Sequence, residues 1–207
     1  MQATAYAPGR VELLGNHTDY NEGLVFAAAI DRGVKVSGTR RDDQRIALRS
    51  DSLGELVIAI EDLQPQQDPG WANYPLGVVQ GLLEAGVLIG GFTADIESDL
   101  PAGCGLSSSA ALEVATAYFL LKLFQAHLPP LAIAKLCQRA EHRFVGVRSG
   151  LLDQVTSIFG RADHGVFFDA RTDEVRPTPF PAGLALIIAE SGTPRELAAG
   201  HYNARRA

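Results

Sequence analysis

The chain has 207 residues, 46% hydrophobic and 20% charged, with 18 Lys+Arg against 24 Asp+Glu and a formal net charge of −6. That is the make-up of a folded globular chain, long enough for one domain or for one domain and the beginning of a second. Basic residues gather no further than pairs such as Arg205-Arg206, so nucleic acid is not an expected partner. Cys104 and Cys137 are far apart and form no CxxC pair, which argues against a structural zinc or disulfide framework and for a reducing cytoplasm. The opening "MQATAYAPGR" lacks the apolar core of a secretory signal, and no run is long and apolar enough to span a membrane.

In chain order, the first sixty residues read as short strands. "ATAYA", "RVELLG" and "GLVFAAAI" are separated by Pro8-Gly9 and by the polar turn 16–23; "VKVSGT", "RIALRS" and "ELVIAI" follow with partial alternation. The polar interruptions "RRDDQ" and "SDSLG" predict hairpin loops. Helical spacing runs through 71–86 despite Pro75, and "FTADIESD" alternates as a strand. Three helices are expected next, at 108–127 before Pro129-Pro130, at 131–145 before Gly146, and at about 151–159. "HGVFFDA" and "LALIIAE" read as strands, and "PRELAAGHYNARRA" opens like a helix with Pro194 in its first turn. Strands, then helices, then strands predict an α+β fold rather than a regular βαβ winding.

Three stretches carry chemistry. In "LPAGCGLSSSAALEVA", Gly103 and Gly105 let the backbone approach a ligand, while Ser107, Ser108 and Ser109 stand where a helix begins. The first-turn N–H groups and the positive end of the helix dipole suit an anion such as a diphosphate with magnesium. A Gly/Ser turn that merely caps a helix would look the same, and the spacing fits neither GxxxxGK[ST] nor GxGxxG. In the second stretch, Pro8-Gly9-Arg10 precedes Gly15-Asn16-His17-Thr18-Asp19-Tyr20, a turn crowded with the side chains that read sugar hydroxyls. A metal at His17 and Asp19 would lack a third ligand nearby, and an Asx-type turn is the structural alternative. The third stretch holds Glu141 and, further on, Ser149-Gly150-Leu151-Leu152-Asp153-Gln154, with Asp153 at the start of a short helix.

Together, in this order, the stretches resemble the galactokinase branch of the GHMP small-molecule kinases. "APGRVELLGNHTDYNEGLV" resembles the branch's sugar signature, "LPAGCGLSSSAALEVA" its phosphate-binding motif, and "AEHRFVGVRSGLLDQVTSIFGRADHGVFFDAR" the segment with the catalytic Asp; "WANY" matches as well. The resemblance implies an α+β GHMP-kinase N-terminal domain (ribosomal protein S5 domain 2-like), a mixed sheet packed against helices, over residues 1–180. Residues 181–207 would begin a truncated, ferredoxin-like C-terminal domain. It implies ATP-dependent phosphorylation of galactose at the C1 hydroxyl, in the cytoplasm. It also implies roles residue by residue. Asp153 would be the base and Arg10 its stabiliser. Asn16, His17, Asp19, Gly150 and Tyr202 would bind sugar. Gly103, Gly105, Leu106, Ser107, Ser108 and Ser109 would wrap the ATP phosphates, and Ser109 and Glu141 would hold Mg²⁺.

Asn16 stands where the family has Glu, which removes a charged hydrogen bond of a kind worth ~1.5–3 kcal/mol. Cys104 replaces a small Gly or Ala. The alternatives are a GHMP kinase for a neighbouring sugar such as N-acetylgalactosamine or arabinose, and a kinase-like fragment or sugar sensor without turnover. A missing second domain would leave apolar surface exposed, so a homodimer or a partner chain is expected.

Overall fold

A computed structural model describes residues 1–101 and 104–189. Seven strands form one mixed sheet: β1 (Gln2–Leu14), β2 (Leu24–Thr39), β3 (Arg45–Ser50), β4 (Gly54–Ala59), β5 (Phe92–Ser98), β6 (His164–Asp169) and β7 (Glu174–Pro179). The order is β4-β3-β5-β2-β6-β7, with β1 also paired to β2. β2 is the spine, carrying β1 along most of its length on one edge and β5 and β6 in tandem on the other. Every pairing is antiparallel except β3–β5. That parallel pair is joined by a crossover containing helix α1 (Asn73–Glu84), as parallel strands require.

Several segments differ from the sequence reading. Pro8-Gly9 does not end a strand; β1 runs through it with register shifts at Pro8/Arg10 and Glu12/Leu14. A bulge absorbs the missing proline donor and re-aims the next side chain, here Arg10. The runs on either side of Asp31-Arg32-Gly33 likewise merge into β2, because both pair with β1, on either side of the shift between Pro8↔Gly33 and Arg10↔Ala29. "RRDDQ" is no hairpin, since β3 pairs with β4 and β5 rather than β2, whereas "SDSLG" does join the β3–β4 hairpin. β7 escaped the reading because Pro177 and Pro179 weaken its pattern, and both are tolerated on an edge strand. Residues 184–189 form no strand, because none of them pairs with a described strand; Leu184, Leu186, Ile187 and Ile188 are exposed. The helix expected from Pro194 lies outside the described residues.

The remaining helices are α2 (Ser108–Leu123), α3 (Pro130–Ala140) and α4 (Leu152–Phe159). α2 stops at Leu123 rather than running to 127, closed by Phe124 and Ala126 N–H bonds back to Leu120 and Leu121, with Gln125 left-handed at φ 56°. The helical run beyond Ala140 continues as one wide π-type turn, Glu141–Val145, which ends at left-handed Gly146. Such a turn is a common feature of functional sites. α2 is apolar nearly all round and is buried on nearly every side. Its Val114, Ala115, Phe119 and Leu120 share a core with Val34, Val36, Leu48, Phe92 and Ile96 of the sheet and with Leu76 and Val79 of α1. α1 and α3 approach closely at Gly77, where an added Cβ would lie 2.9 Å from the Ala140 Cβ. The result is a sheet with helices on it, which puts the start of α2, the π turn and the start of α4 near the bulge of β1.

Candidate functional site

The site is built around that bulge. Gly9 allows the glycine-rich loop to lie against β1, since a Cβ there would come within 2.7 Å of the Leu106 carbonyl oxygen and of a Leu100 methyl. The Arg10 N–H donates to the same Leu106 oxygen at 3.1 Å. The Arg10 side chain then turns inward: Nε donates to Asp153 Oδ1 at 2.7 Å, Nη2 lies 2.6 Å from that oxygen, and Nη1 donates to the Gly105 carbonyl at 2.8 Å. The second oxygen of Asp153 accepts the Ser107 hydroxyl at 2.7 Å. Both carboxylate oxygens are therefore held, one by a guanidinium from β1 and one by the helix-start serine. The Asp153 side chain keeps 29% exposure, enough to meet a ligand.

The serines do not behave as simple caps. Ser107 occupies the N-cap of α2 in a left-handed conformation (φ 58°, ψ 44°) and makes no side-chain capping bond. Its hydroxyl goes to Asp153 instead. The helix ladder begins at Ala111 N–H onto the Ser107 carbonyl, so the N–H groups of Ser108, Ser109 and Ala110 precede it and lie at the positive end of the helix. Ser108 is exposed at this end, and Leu106 is buried beneath it. Gly103 and Tyr202 lie outside the described residues.

The turn between β1 and β2 forms the second wall. Gly15 is left-handed at φ 95°, with no room for a Cβ beside the Leu24 carbonyl. The Thr18 hydroxyl donates to the Gly15 and Leu24 carbonyls at 2.7 and 2.9 Å. Asn16 is exposed; His17 follows at φ 64° and sits 5.8 Å, centroid to centroid, from the Tyr20 ring. Asp19 is drawn across to the third segment, where its Oδ2 accepts the Leu152 N–H at 3.2 Å while Oδ1 accepts the Tyr20 N–H at 3.0 Å. Gly150 is what permits this, because a Cβ there would lie 1.7 Å from Asp19 Oδ2. Burial raises the Asp19 pKa above the ordinary carboxylate value, the Leu152 N–H opposes that, and the charge of Asp153 adds to it.

Behind Asp153, the next residue of α4 faces the other way into a buried polar cluster. Gln154 Nε2 donates to Glu113 Oε2 at 3.0 Å and lies 3.4 Å from Glu141 Oε2. The Ser149 hydroxyl donates to that same Glu141 oxygen in a short contact. Burial pushes the Glu141 pKa up to about 7; the Ser149 hydroxyl opposes the shift, Asp153 reinforces it, and the Ser109 hydroxyl contributes a weaker opposing hydrogen bond. Glu113 is raised further, by complete burial and then by the charge of Glu141. Tyr74 of "WANY" is also raised, by burial and then by Glu141 and Glu113. Its neighbours hold the preceding loop: Trp71 Nε1 donates to the Leu53 carbonyl at 2.8 Å, and Asn73 exchanges two bonds with the Gln66 backbone.

The structure thus gathers Arg10, Gly105, Ser107 and Asp153 directly, and Asp19 with Gly150 beside them. Glu141 lies one layer behind, braced by Ser149 and Gln154 and influenced weakly by Ser109. No group of three or more His, Cys, Asp or Glu exists among the described residues to hold a metal by itself. A hydroxyl and one carboxylate are nonetheless the donor chemistry of a magnesium site completed by phosphate oxygens and water. Glu113, Gln154 and Tyr74 were missed as polar members of the site. The one available signal was an acid within the apolar run of α2.

Residues 73–161 match the model described as GHMP kinases N terminal domain, and residues 2–40 match the galactokinase galactose-binding signature. Over these segments the chain matches the GHMP kinases, and its fold agrees. Among solved structures, the chain superposes on mevalonate kinase from Methanococcus jannaschii with a TM-score of 0.68 at 21% identity, over 85% of this chain and 55% of that one.

Within the class, the likeness is to galactokinases. It is 43% identical to galactokinase from Chloroflexus aggregans over 98% of this chain and 52% of the relative. It is 42% identical to that of Haemophilus influenzae over 99% of this chain and 54% of the relative. The galactose complex of Lactococcus lactis galactokinase superposes with a TM-score of 0.89 at 31% identity, covering 99% of this chain and 54% of that one. The chain spans about half the length of the curated relatives it matches.

Proposed function

We propose that this chain carries the sugar-binding and phosphate-binding part of a galactokinase, which transfers the terminal phosphoryl group of ATP to the C1 hydroxyl of galactose. The observation that carries this reading is the Asp153 carboxylate, held by Arg10 and Ser107 at the start of α2 and flanked by Asp19 and Gly150. A phosphate group at the α2 N-terminus would lie beside Asp153, as in-line transfer to a hydroxyl bound there requires.

His17 and Asp19 take sugar hydroxyls, with Asn16 at the rim and the Gly150 backbone closing the floor; Tyr202 belongs to the same set by resemblance. Gly103, Gly105, Leu106, Ser107, Ser108 and Ser109 wrap the phosphates. Ser109 and Glu141 would hold magnesium, which would neutralise phosphate charge. Phosphoryl transfer has a loose transition state that calls for positioning and charge neutralisation more than for a strong nucleophile. Asp153 orients the C1 hydroxyl and accepts its proton as the oxygen–phosphorus bond forms and the bond to ADP breaks. Arg10 stabilises the carboxylate and the group in flight.

Residues 1–180 are assigned to this domain and 181–207 to the start of a second one. The cytoplasm, where ATP and a reduced Cys137 are both expected, is the proposed compartment. The exposed run at 184–188 suits contact with a further domain, a second copy or a partner chain.

The test is calorimetric titration of the chain with galactose, then coupled ADP detection with ATP, magnesium and galactose. N-acetylgalactosamine, arabinose and glucose run alongside. Saturable galactose binding with galactose-dependent ADP release is expected; a folded chain that binds none of the sugars overturns the reading.

A further inference from the structure

One acid lies deeper than anything the reaction touches. Glu113 is fully buried in α2, between Leu112 and Val114, in a helix whose other buried residues are almost all apolar. A carboxyl in such a place stabilises nothing by itself, and a leucine or methionine of similar volume would pack there at less cost. Its hydrogen bond leads to the site: Gln154 Nε2 donates to Glu113 Oε2 at 3.0 Å and lies 3.4 Å from Glu141 Oε2. An amide nitrogen has two hydrogens, so this one atom can bond both carboxyls and set the distance between them.

Glu141 is held by Oε2, which takes the Ser149 hydroxyl as well as Gln154. Its other oxygen is outside this bracing. Ser109 and Glu113 are four apart on α2 and share a face, and the Ser109 hydroxyl adds a small lowering influence on the Glu141 pKa. α2 therefore reaches Glu141 through Glu113 and Gln154, on the helix face that also carries Ser109. Gln154 adjoins Asp153, so the same brace ties the orientation of Glu141 to the helix that carries Asp153.

We infer that Glu113 is a positioning residue: acting through Gln154, it holds the Glu141 carboxylate in the orientation that receives a magnesium–nucleotide. The inference rests on the functional reading above and deepens it. Groups behind a metal ligand commonly affect metal affinity by ~10–100-fold, and an effect of that size is expected here.

The experiment titrates the full chain calorimetrically with ADP at a series of MgCl₂ concentrations, and separately with galactose. Glu113→Leu is expected to raise the magnesium concentration for half-maximal ADP binding by ~10–100-fold, leaving galactose affinity within about twofold. Glu113→Gln keeps a side-chain carbonyl for Gln154 and is expected to stay within about threefold of the parent on both axes. Gln154→Met, which removes the shared nitrogen without adding charge, should reproduce the magnesium shift and serves if Glu113→Leu does not fold.

A parent-like magnesium dependence in a folded Glu113→Leu or Gln154→Met chain overturns the inference. So does an equal loss of sugar and nucleotide binding that Glu113→Gln does not restore. A parent chain that binds galactose but is indifferent to magnesium with ADP overturns this inference alone. One that binds neither ligand overturns the functional reading and this inference with it.

Discussion

Consecutive residues of α4 face two carboxyl environments of opposite design. Asp153 meets a guanidinium at 2.6 Å and a hydroxyl at 2.7 Å and remains partly open to solvent. Gln154 points into an interior where Glu113 and Glu141 are buried, with an amide and hydroxyls as their neighbours. Charge is compensated in the first place and desolvated in the second. The first keeps a carboxylate ready at the surface of a ligand site; the second makes carboxyls whose charged form is disfavoured and whose geometry is tightly held. The proposed phosphoryl transfer would use both, one to face the hydroxyl and one to face the cation.

The largest effect expected on this contrast comes from Asp153→Asn. Galactose binding should survive while turnover falls by ~10²–10⁴-fold, the range for loss of a positioned general base; parallel calorimetry and coupled ADP detection separate the two. Gly150→Ala should act on the sugar side instead. Its Cβ would overlap Asp19 Oδ2, and displacing that carboxylate should weaken galactose by about tenfold or more, the equivalent of one charge-assisted hydrogen bond.

The desolvated pair predicts a pH dependence of the metal-free protein. Glu141 has its folded pKa raised to about 7 from an ordinary 4.5, so between those values the folded state binds more protons than the unfolded state. Stability therefore falls as pH rises through that window, and the loss is complete above the folded pKa. Glu113 is shifted in the same direction. Denaturant melts in EDTA should show this group favouring pH 5 over pH 8, and Glu141→Gln should flatten the slope. At the small end stands Lys35–Glu97, an ion pair at 3.1 Å with side chains 46% and 59% exposed. Lys35→Ala should change stability by no more than about 1 kcal/mol in the same melts.

Much of the site was legible because its chemistry is concentrated in short runs. Pro8-Gly9-Arg10, the turn from Gly15 to Tyr20, the Gly/Ser run and the Asp153 segment each announce themselves by residue type, and the chain orders them consistently. Hidden parts had a different character. Ser107 reads as a cap until its hydroxyl is seen on Asp153, because capping is local and that contact spans 46 positions. Glu113 reads as one polar residue on a helix; only the folded structure shows it buried against the Gln154 amide, 41 positions away.

Local pattern by itself determined the α+β class, the helix starts, the β3–β4 hairpin and the short runs that make up the candidate site, since these depend on periodicity, turn chemistry and residue type within a few positions. Tertiary structure decided the rest. It joined β1 through Pro8 and β2 through Gly33, set β3 parallel to β5, left 184–189 unpaired, and brought Arg10, Ser107 and Asp153 to one point. Pairing partners and burial depend on what lies across the fold, and no short window of sequence contains that.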